Sequence, residues 1–256
     1  EFDIIDATFG DALDNLPVGF REEGVFDPRQ LYLSLNAGLP AWRSRKNRCE
    51  LLSKVDRESI VAAYQGLAEL PRSFFPRGIL GYSADWESFE STTASPRLDR
   101  PFVLAFLEVS VPLVRRASIE ESVRRAAGVK VKTIIIRDAK RFGDQFRATG
   151  GDAMVIGLKS NYLDGYEFLL MLAEPAADTT GFHDANLRRE IVDSQQINDP
   201  TQRAQVYREI AARIRRECLL LPLVTIPHRR VFVRVSLTTP GFGEVPINEY
   251  DLSRAR

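Results

Sequence analysis

Residues 101–136, PFVLAFLEVSVPLVRRASIEESVRRAAGVKVKTIII, decide the fold. Phe102 to Val109 is a continuous apolar run of the length of a buried strand. Residues 112–127 follow with helical spacing, which places Leu113, Ala117, Val123 and Ala127 on the inward side. Gly128 stands where a helix C-cap favours glycine, and Val129 to Ile136 is a second apolar run. Strand, helix and strand in this order form a βαβ unit, whose crossover is almost always right-handed. Strands this uniformly apolar need cover on both faces. The expected class is therefore α/β, with a parallel or mixed sheet flanked by helices.

Further along the chain, Asp138 to Arg147 reads as a helix with Phe142 and Phe146 one turn apart. Residues 150–172, GGDAMVIGLKSNYLDGYEFLLML, then supply a third buried strand, Ala153 to Ile156, with Gly157 as its expected end. After the polar Lys159-Ser160-Asn161, the spacing predicts a helix over Tyr162 to Leu172, with Tyr162, Phe168, Leu169 and Leu172 sharing a face. A strand that leads through polar residues into a helix puts backbone N–H groups and side chains at a cleft rim, where α/β proteins hold ligands. The same pattern also serves as a plain connection.

Residues 176–181 read as a polar loop, and 185–195 as a helix. Asp199-Pro200-Thr201-Gln202 is a strong helix start, with Asp as N-cap, Pro at N1 and Gln at N3. Val206, Tyr207, Ile210 and Ile214 form that helix's apolar stripe, which makes its arginines a solvated flank rather than a nucleic-acid surface. An extended segment, 219–226, and a separate strand, 231–235, follow, with a closing strand over 248–252. Towards the amino end, residues 1–9 read as a strand. Gln30 to Asn36 reads as a half-buried one, with Leu31, Leu33 and Leu35 opposite Tyr32, Ser34 and Asn36. A helix is expected over 42–55, its Arg43, Arg45, Lys46 and Arg48 forming a solvated face. Asp56 is the N-cap of another over 57–67, with Ile60, Val61 and Tyr64 buried. Residues 83–100 are polar and read as an exposed, mobile connection.

Several of these landmarks resemble the family 5 bacterial extracellular solute-binding proteins, the dipeptide, oligopeptide and nickel receptors of ABC importers. Asp152, Gly157, Tyr162 and Asp164 fall in register with the second-lobe signature of that family, and Phe168-Leu169 with the apolar helix after it. Val55-Asp56-Arg57-Glu58-Ser59-Ile60 is similar to its Ile-Asp-Arg-x-x-Ile junction, and the 74–82 loop, FFPRGILGY, to the segment beyond. Asp199, Arg203 and Tyr207 match an Asp-x-x-x-Arg-x-x-x-Tyr helix, and Leu221-Pro222-Leu223 the strand after it. Leu158, Asn161 and Gly165 depart from the usual Trp, Asp and Pro. In peptide-binding members that Asp pairs with the ligand's amino terminus, and an Asn amide lacks its charge.

The resemblance implies a periplasmic-binding-protein type II-like lobe over residues 1–230. Residues 231–256 would then be a strand segment returning towards a first lobe, which would lie upstream of Glu1. It implies an exported protein, periplasmic or extracellular, whose partners are a small solute or peptide, the first lobe and an ABC permease in the membrane. The ligand-binding residues it points to are Asn161 and Tyr162, with Lys159 nearby and Tyr82 from the earlier loop. The alternative is an interaction or structural module that keeps the fold without transport.

Composition agrees with a globular protein. The 256 residues are 44% hydrophobic and 27% charged, with 35 basic and 35 acidic side chains. That balance argues against a nucleic-acid binder. No apolar run approaches the roughly 20 residues of a membrane span, and no export signal precedes the first strand. Cys49 and Cys218 can pair or stand free. Free buried thiols are the expectation, because Cys218 falls at the end of an amphipathic helix. With His183 and His228 alone beside them there is no recognisable zinc site. Nucleophile elbows, zinc-protease motifs and phosphate loops are absent, and Gly241-Phe242-Gly243 is only a fragment of a dinucleotide signature. The expectation is a binding protein with no cofactor and no catalytic residues.

Overall fold

The computed structural model describes residues 4–7, 21–86, 89, 98–111, 113–160 and 162–233. One six-stranded mixed sheet runs through it in the order β1-β6-β2-β5-β3-β4. The strands are β1 (Ile4–Ala7), β2 (Arg21–Leu35), β3 (Phe102–Leu107), β4 (Val131–Ile136), β5 (Ala153–Lys159) and β6 (Leu220–Val233). β3 pairs parallel with β4 and with β5, whereas β2 pairs antiparallel with β5 and β6, and β1 with β6. The helices are α1 (Pro40–Arg43), α2 (Arg45–Ser53), α3 (Arg57–Ala62), α4 (Leu113–Ala127), α5 (Phe142–Ala148), α6 (Leu170–Ala173), α7 (Ala185–Ser194) and α8 (Pro200–Arg216). A 3-10 turn, Tyr166–Leu169, precedes α6. None of the described helices is long and apolar enough to cross a membrane.

The period of two along each strand feeds two cores. Tyr32, Met154 and Ile156 join Phe74, Phe168, Tyr207 and Ile210 on one face of the sheet. Leu31, Leu33, Leu35 and Val155 join Trp42, Leu51, Ile119 and Val123 on the other. Residues 30–36 are therefore buried on both sides rather than half-buried. Gln30 and Tyr32 donate to the Phe74 carbonyl at 2.6 Å each, which satisfies their polar atoms inside the core.

The βαβ unit is present, but α4 is rotated from its expected facing. Leu113 is 76% exposed and Ala117 is also exposed, while Ile119, Ser122, Val123 and Ala126 are buried. The register is set by Ser122, whose hydroxyl accepts from the Asp56 amide at 2.8 Å and donates to the Asp56 carbonyl. Gly128 ends the helix at φ 68°, as its capping position requires. Asp56, Asp184 and Asp199 accept from backbone amides at the starts of α3, α7 and α8.

Other expectations are corrected by tertiary contacts. The cysteines are not free: Cys49 and Cys218, 169 residues apart, form a disulfide with Cα atoms 5.1 Å apart. Cys218 takes φ 51°, which turns the chain out of α8 towards β6 and against α2. Arg48 leaves the basic cluster and is 2% exposed. It donates to the carbonyls of Trp42, Arg43 and Glu217, while Arg45 donates to that of Arg216. Two guanidiniums thus serve the carbonyl end of α8, where the helix dipole favours positive charge. Burial lowers the pKa of Arg48, against the opposing pull of the Glu217 charge.

The polar 176–181 loop is also inside, with Asp178, Thr179 and Thr180 buried. Asp178 accepts from the amides of Thr180 and Gly181, and Thr179 donates to the Ser34 hydroxyl at 2.7 Å. The extended segment at 219–226 and the strand expected from Val231 are one strand, β6, paired continuously enough with β2 and β1 to reach Val233. The end of the 231–235 strand, the 248–252 strand, Gly241-Phe242-Gly243 and residues 87, 88 and 90–97 of the polar connection lie outside the described residues. Phe89, within that connection, is buried.

Candidate functional site

β5 is anchored at its start by Asp152, which is fully buried. Its carboxylate accepts from Trp42 Nε1 at 2.7 Å, from the Val103 amide at 2.8 Å, and from both terminal nitrogens of Arg100 at 2.6 and 2.7 Å. These bonds tie the heads of β3 and β5 to α1, and the hydrogen bond and charge of Asp152 raise the pKa of Arg100. The first residue of the motif is thus a scaffold element.

Gly157 does not end β5, which continues to Lys159. A Cβ on Gly157 would stand 2.8 Å from Leu31 Cδ2 and 3.2 Å from Ser110 Cβ, so glycine admits close packing rather than breaking the strand. β3, by contrast, pairs with β5 only as far as Val155 and stops at Leu107. Past that point no described strand covers the β3-facing edge of β5. A cleft of about 410 Å³ opens there, lined by Leu107, Ser110, Phe142, Ile156, Leu158 and Lys159 among others. It lies outside the carboxyl ends of two parallel strands, the usual ligand position in open α/β sheets.

The turn beyond β5 is fixed by its own polar groups. The Ser160 hydroxyl donates to the carbonyls of Tyr162 and Asp164. Asp164 accepts from the Tyr166 amide at 2.9 Å, so helical structure begins at Tyr166 and not at Tyr162. Asp164 also accepts from the Tyr207 hydroxyl at 2.5 Å and pairs with Arg203 at 3.2 Å. The Asp-x-x-x-Arg-x-x-x-Tyr pattern of α8 therefore locks this turn to the helix. Burial, reinforced by the Asp164 carboxylate, pushes the Tyr207 hydroxyl well above its ordinary pKa and keeps it a donor. Gly165 lies against the Leu80 carbonyl, which a Cβ would approach to 2.7 Å.

The residues singled out from the sequence are distributed as follows. Lys159 lines the cleft. Tyr162 is 74% exposed in the turn, not on the buried face expected for it with Phe168, Leu169 and Leu172. Tyr82 lines a second cleft of about 560 Å³, with Arg72, Arg77, Phe75 and Thr225. Asn161 lies outside the described residues. Sequence reading missed Arg29, Ser110, Phe142 and Ile226 as lining residues. Arg29 adjoins the alternating run of β2, but only the pairing of β2 with β5 brings it to Lys159. No group of three His, Cys, Asp or Glu among the described residues could hold a metal ion.

No family model matches the sequence, and no curated protein matches it. Solved structures do match the fold. A dipeptide binding protein from Pseudoalteromonas sp. SM9913, in complex with Met-Leu, superposes with TM-score 0.75 at 16% identity, covering 100% of this chain and 54% of that one. NikA from Brucella suis, in complex with Fe(III)-EDTA, gives 0.73 at 18%, covering 97% and 57%. The ABC transporter-associated periplasmic binding protein DppA from Helicobacter pylori, in complex with peptide STSA, gives 0.72 at 16%, covering 94% and 51%. The chain spans about half the length of these structures. It has the α/β fold of part of a solute-binding protein, with the mixed sheet and flanking helices expected from its sequence. The structures it matches are binding proteins.

Proposed function

We propose that the chain is one lobe of an exported, two-lobed receptor that binds a peptide-like or other small solute and delivers it to an ABC permease without transforming it. The observation that carries this reading is the cleft where β5 outruns β3, with a β3-facing backbone edge at 156–159 that no described strand pairs with. An extended ligand can add to such an edge through main-chain hydrogen bonds, while the apolar lining takes a side chain. One lobe encloses half a cleft, so tight binding needs an opposing lobe, and closure about a hinge would follow from ligand contacts made to both. β2 and β6, which run on past the body of the sheet as a paired ribbon, are the natural connection to that lobe. Lys159, Tyr162 and Asn161 are the rim residues offered to the ligand in this reading, and Tyr82 serves the neighbouring cleft. The Cys49–Cys218 disulfide supports export, since such bonds persist in oxidising compartments.

Titrating the chain with a panel of short peptides, with amide resonances as the readout, tests the reading. Weak saturable shifts at Gly157, Leu158 and Lys159 are expected. Shifts confined to the Arg72–Tyr82 cleft, or none, would refute it.

A second reading has its own observation. Val109, Leu113, Tyr162 and Leu163 are exposed at 58, 76, 74 and 44%, on the segments that follow β3 and β5 in the chain, and Val109 lines the cleft. Exposed apolar side chains of this kind also suit a protein partner in an interaction module. A stable dimer in sedimentation that dissociates on Leu113→Glu would favour that reading.

A further inference from the structure

We infer that the second cleft, between the 72–82 loop and the sheet, holds a small organic acid by its oxyanion, a carboxylate or a phosphate, on Arg72 and Arg77. This cleft of about 560 Å³ shares no described lining residue with the cleft beside β5, so the inference stands apart from the reading above. The loop is pinned to the sheet by buried polar groups. The Gln30 amide donates to the carbonyls of Ser73 and Phe74, and the Tyr32 hydroxyl donates to that of Phe74. Thr225, opposite Gln30 on β6, fixes that amide by donating to its Oε1 at 2.7 Å. The Ser73 hydroxyl then accepts from the amides of Phe75 and Ser83, which closes the loop on itself. The backbone that carries both arginines is therefore ordered before any ligand arrives.

Arg48, Arg100, Arg147 and Arg213 are each held by a carboxylate. Arg72 and Arg77 differ: both are exposed at the cleft, and among the described residues neither side chain has an ion pair or a hydrogen bond. Glu69 lines the same cleft, its backbone bridged to Thr225, but its carboxylate pairs with neither arginine. Two arginines against one glutamate leave the described lining with an excess of positive charge. The Tyr82 hydroxyl, also without a partner among the described residues, adds a neutral donor. A guanidinium fork matches the paired oxygens of a carboxylate or phosphate, and the bond is strengthened by charge. Leu70, Phe75 and Pro76 give the hydrocarbon part of the acid an apolar wall. The volume is that of an ordinary small-molecule pocket.

The test titrates phenylacetate, phenyl phosphate and the uncharged phenylacetamide into the full chain while the amides of Arg72, Ser73, Arg77 and Tyr82 are followed. At least one acid is expected to shift them saturably, roughly tenfold more tightly than phenylacetamide. Which acid does so distinguishes carboxylate from phosphate. Arg72→Gln and Arg77→Gln, each checked for an intact amide spectrum, should weaken that acid severalfold. Arg43→Gln, which removes an exposed arginine outside the cleft, should leave it unchanged. Phenylacetamide binding as well as the acids, or an unchanged affinity in either cleft variant, would overturn the inference. So would an equal loss in Arg43→Gln, which would mark general attraction to surface arginines. Acid shifts at Gly157, Leu158 and Lys159 in place of the loop amides would also overturn it and leave the β5 cleft reading standing. If neither acid moves the loop amides, the inference falls.

Discussion

At its amino end β5 begins on a buried carboxylate whose oxygens are held by Trp42, Arg100 and the Val103 amide. At its carboxyl end the same strand outruns β3 and leaves an edge beside a cleft lined by Lys159 and Leu158. The first end is closed, with its polar groups satisfied from three elements. The second leaves the β3-facing edge of its backbone beside a largely apolar hollow. The contrast teaches where the matched and the departing motif positions go. Asp152 and Asp164, which match the solute-binding signature, are internal fastenings, whereas Leu158, which departs from it, lines the cleft. Gly157, which also matches, lines the same cleft, and Gly165, which departs, packs against the Leu80 carbonyl, so matched and departing positions occur at both ends.

The comparison is broken most directly at the closed end. Asp152→Ala leaves the Trp42 and Val103 donors without their acceptor and should cost about 3–5 kcal/mol of folding stability, read as a drop in the urea midpoint. A loss below about 1 kcal/mol would mean that Asp152 is not a fastening. Replacing Cys49 and Cys218 together with Ala should remove about 2–4 kcal/mol and leave peptide-induced shifts at Lys159 unchanged, because the bond lies away from the cleft. Loss of those shifts in a folded variant would contradict this separation.

At the open end the expected order of effects reverses. Gly157→Val drives a side chain into Leu31 and Ser110 and should cost about 1–3 kcal/mol, yet abolish the peptide response altogether. Retained binding would place the ligand elsewhere. Tyr162→Ala sits at the smallest end of the scale, since the ring is mostly exposed. Its stability should stay within about 0.5 kcal/mol of the parent while peptide affinity falls two- to fivefold (roughly 0.4–1 kcal/mol). An unchanged affinity in calorimetry would remove Tyr162 from the rim.

Much of the scaffold was legible in local chemistry. The apolar runs at 102–109, 129–136 and 153–156 became β3, β4 and the first part of β5. β3 and β5 are covered as such residues require, whereas β4, at the sheet edge, leaves Lys132 and Thr133 exposed. Asp56, Asp184 and Asp199 announce helix starts because an N-cap is a contact within one turn of chain. The candidate site was less legible. Lys159 was found because it follows a strand at a polar turn. Arg29 was not, because its place beside Lys159 depends on a register between strands more than a hundred residues apart.

By itself the sequence determined which segments are strands and helices, that the sheet needs two helical layers, and the likeness to solute-binding proteins. The elements and layers follow from period, capping and spacing, which act over a few residues, and the likeness from motifs that resemble those of that family. Only the tertiary structure decided that Cys49 meets Cys218, that Arg48 turns inward to the end of α8, that the 176–181 loop is buried, and that β5 continues past Gly157 to leave an edge open. Each of these is a meeting of distant segments, whose partners are fixed by packing and by the satisfaction of buried polar groups rather than by any neighbour in the chain.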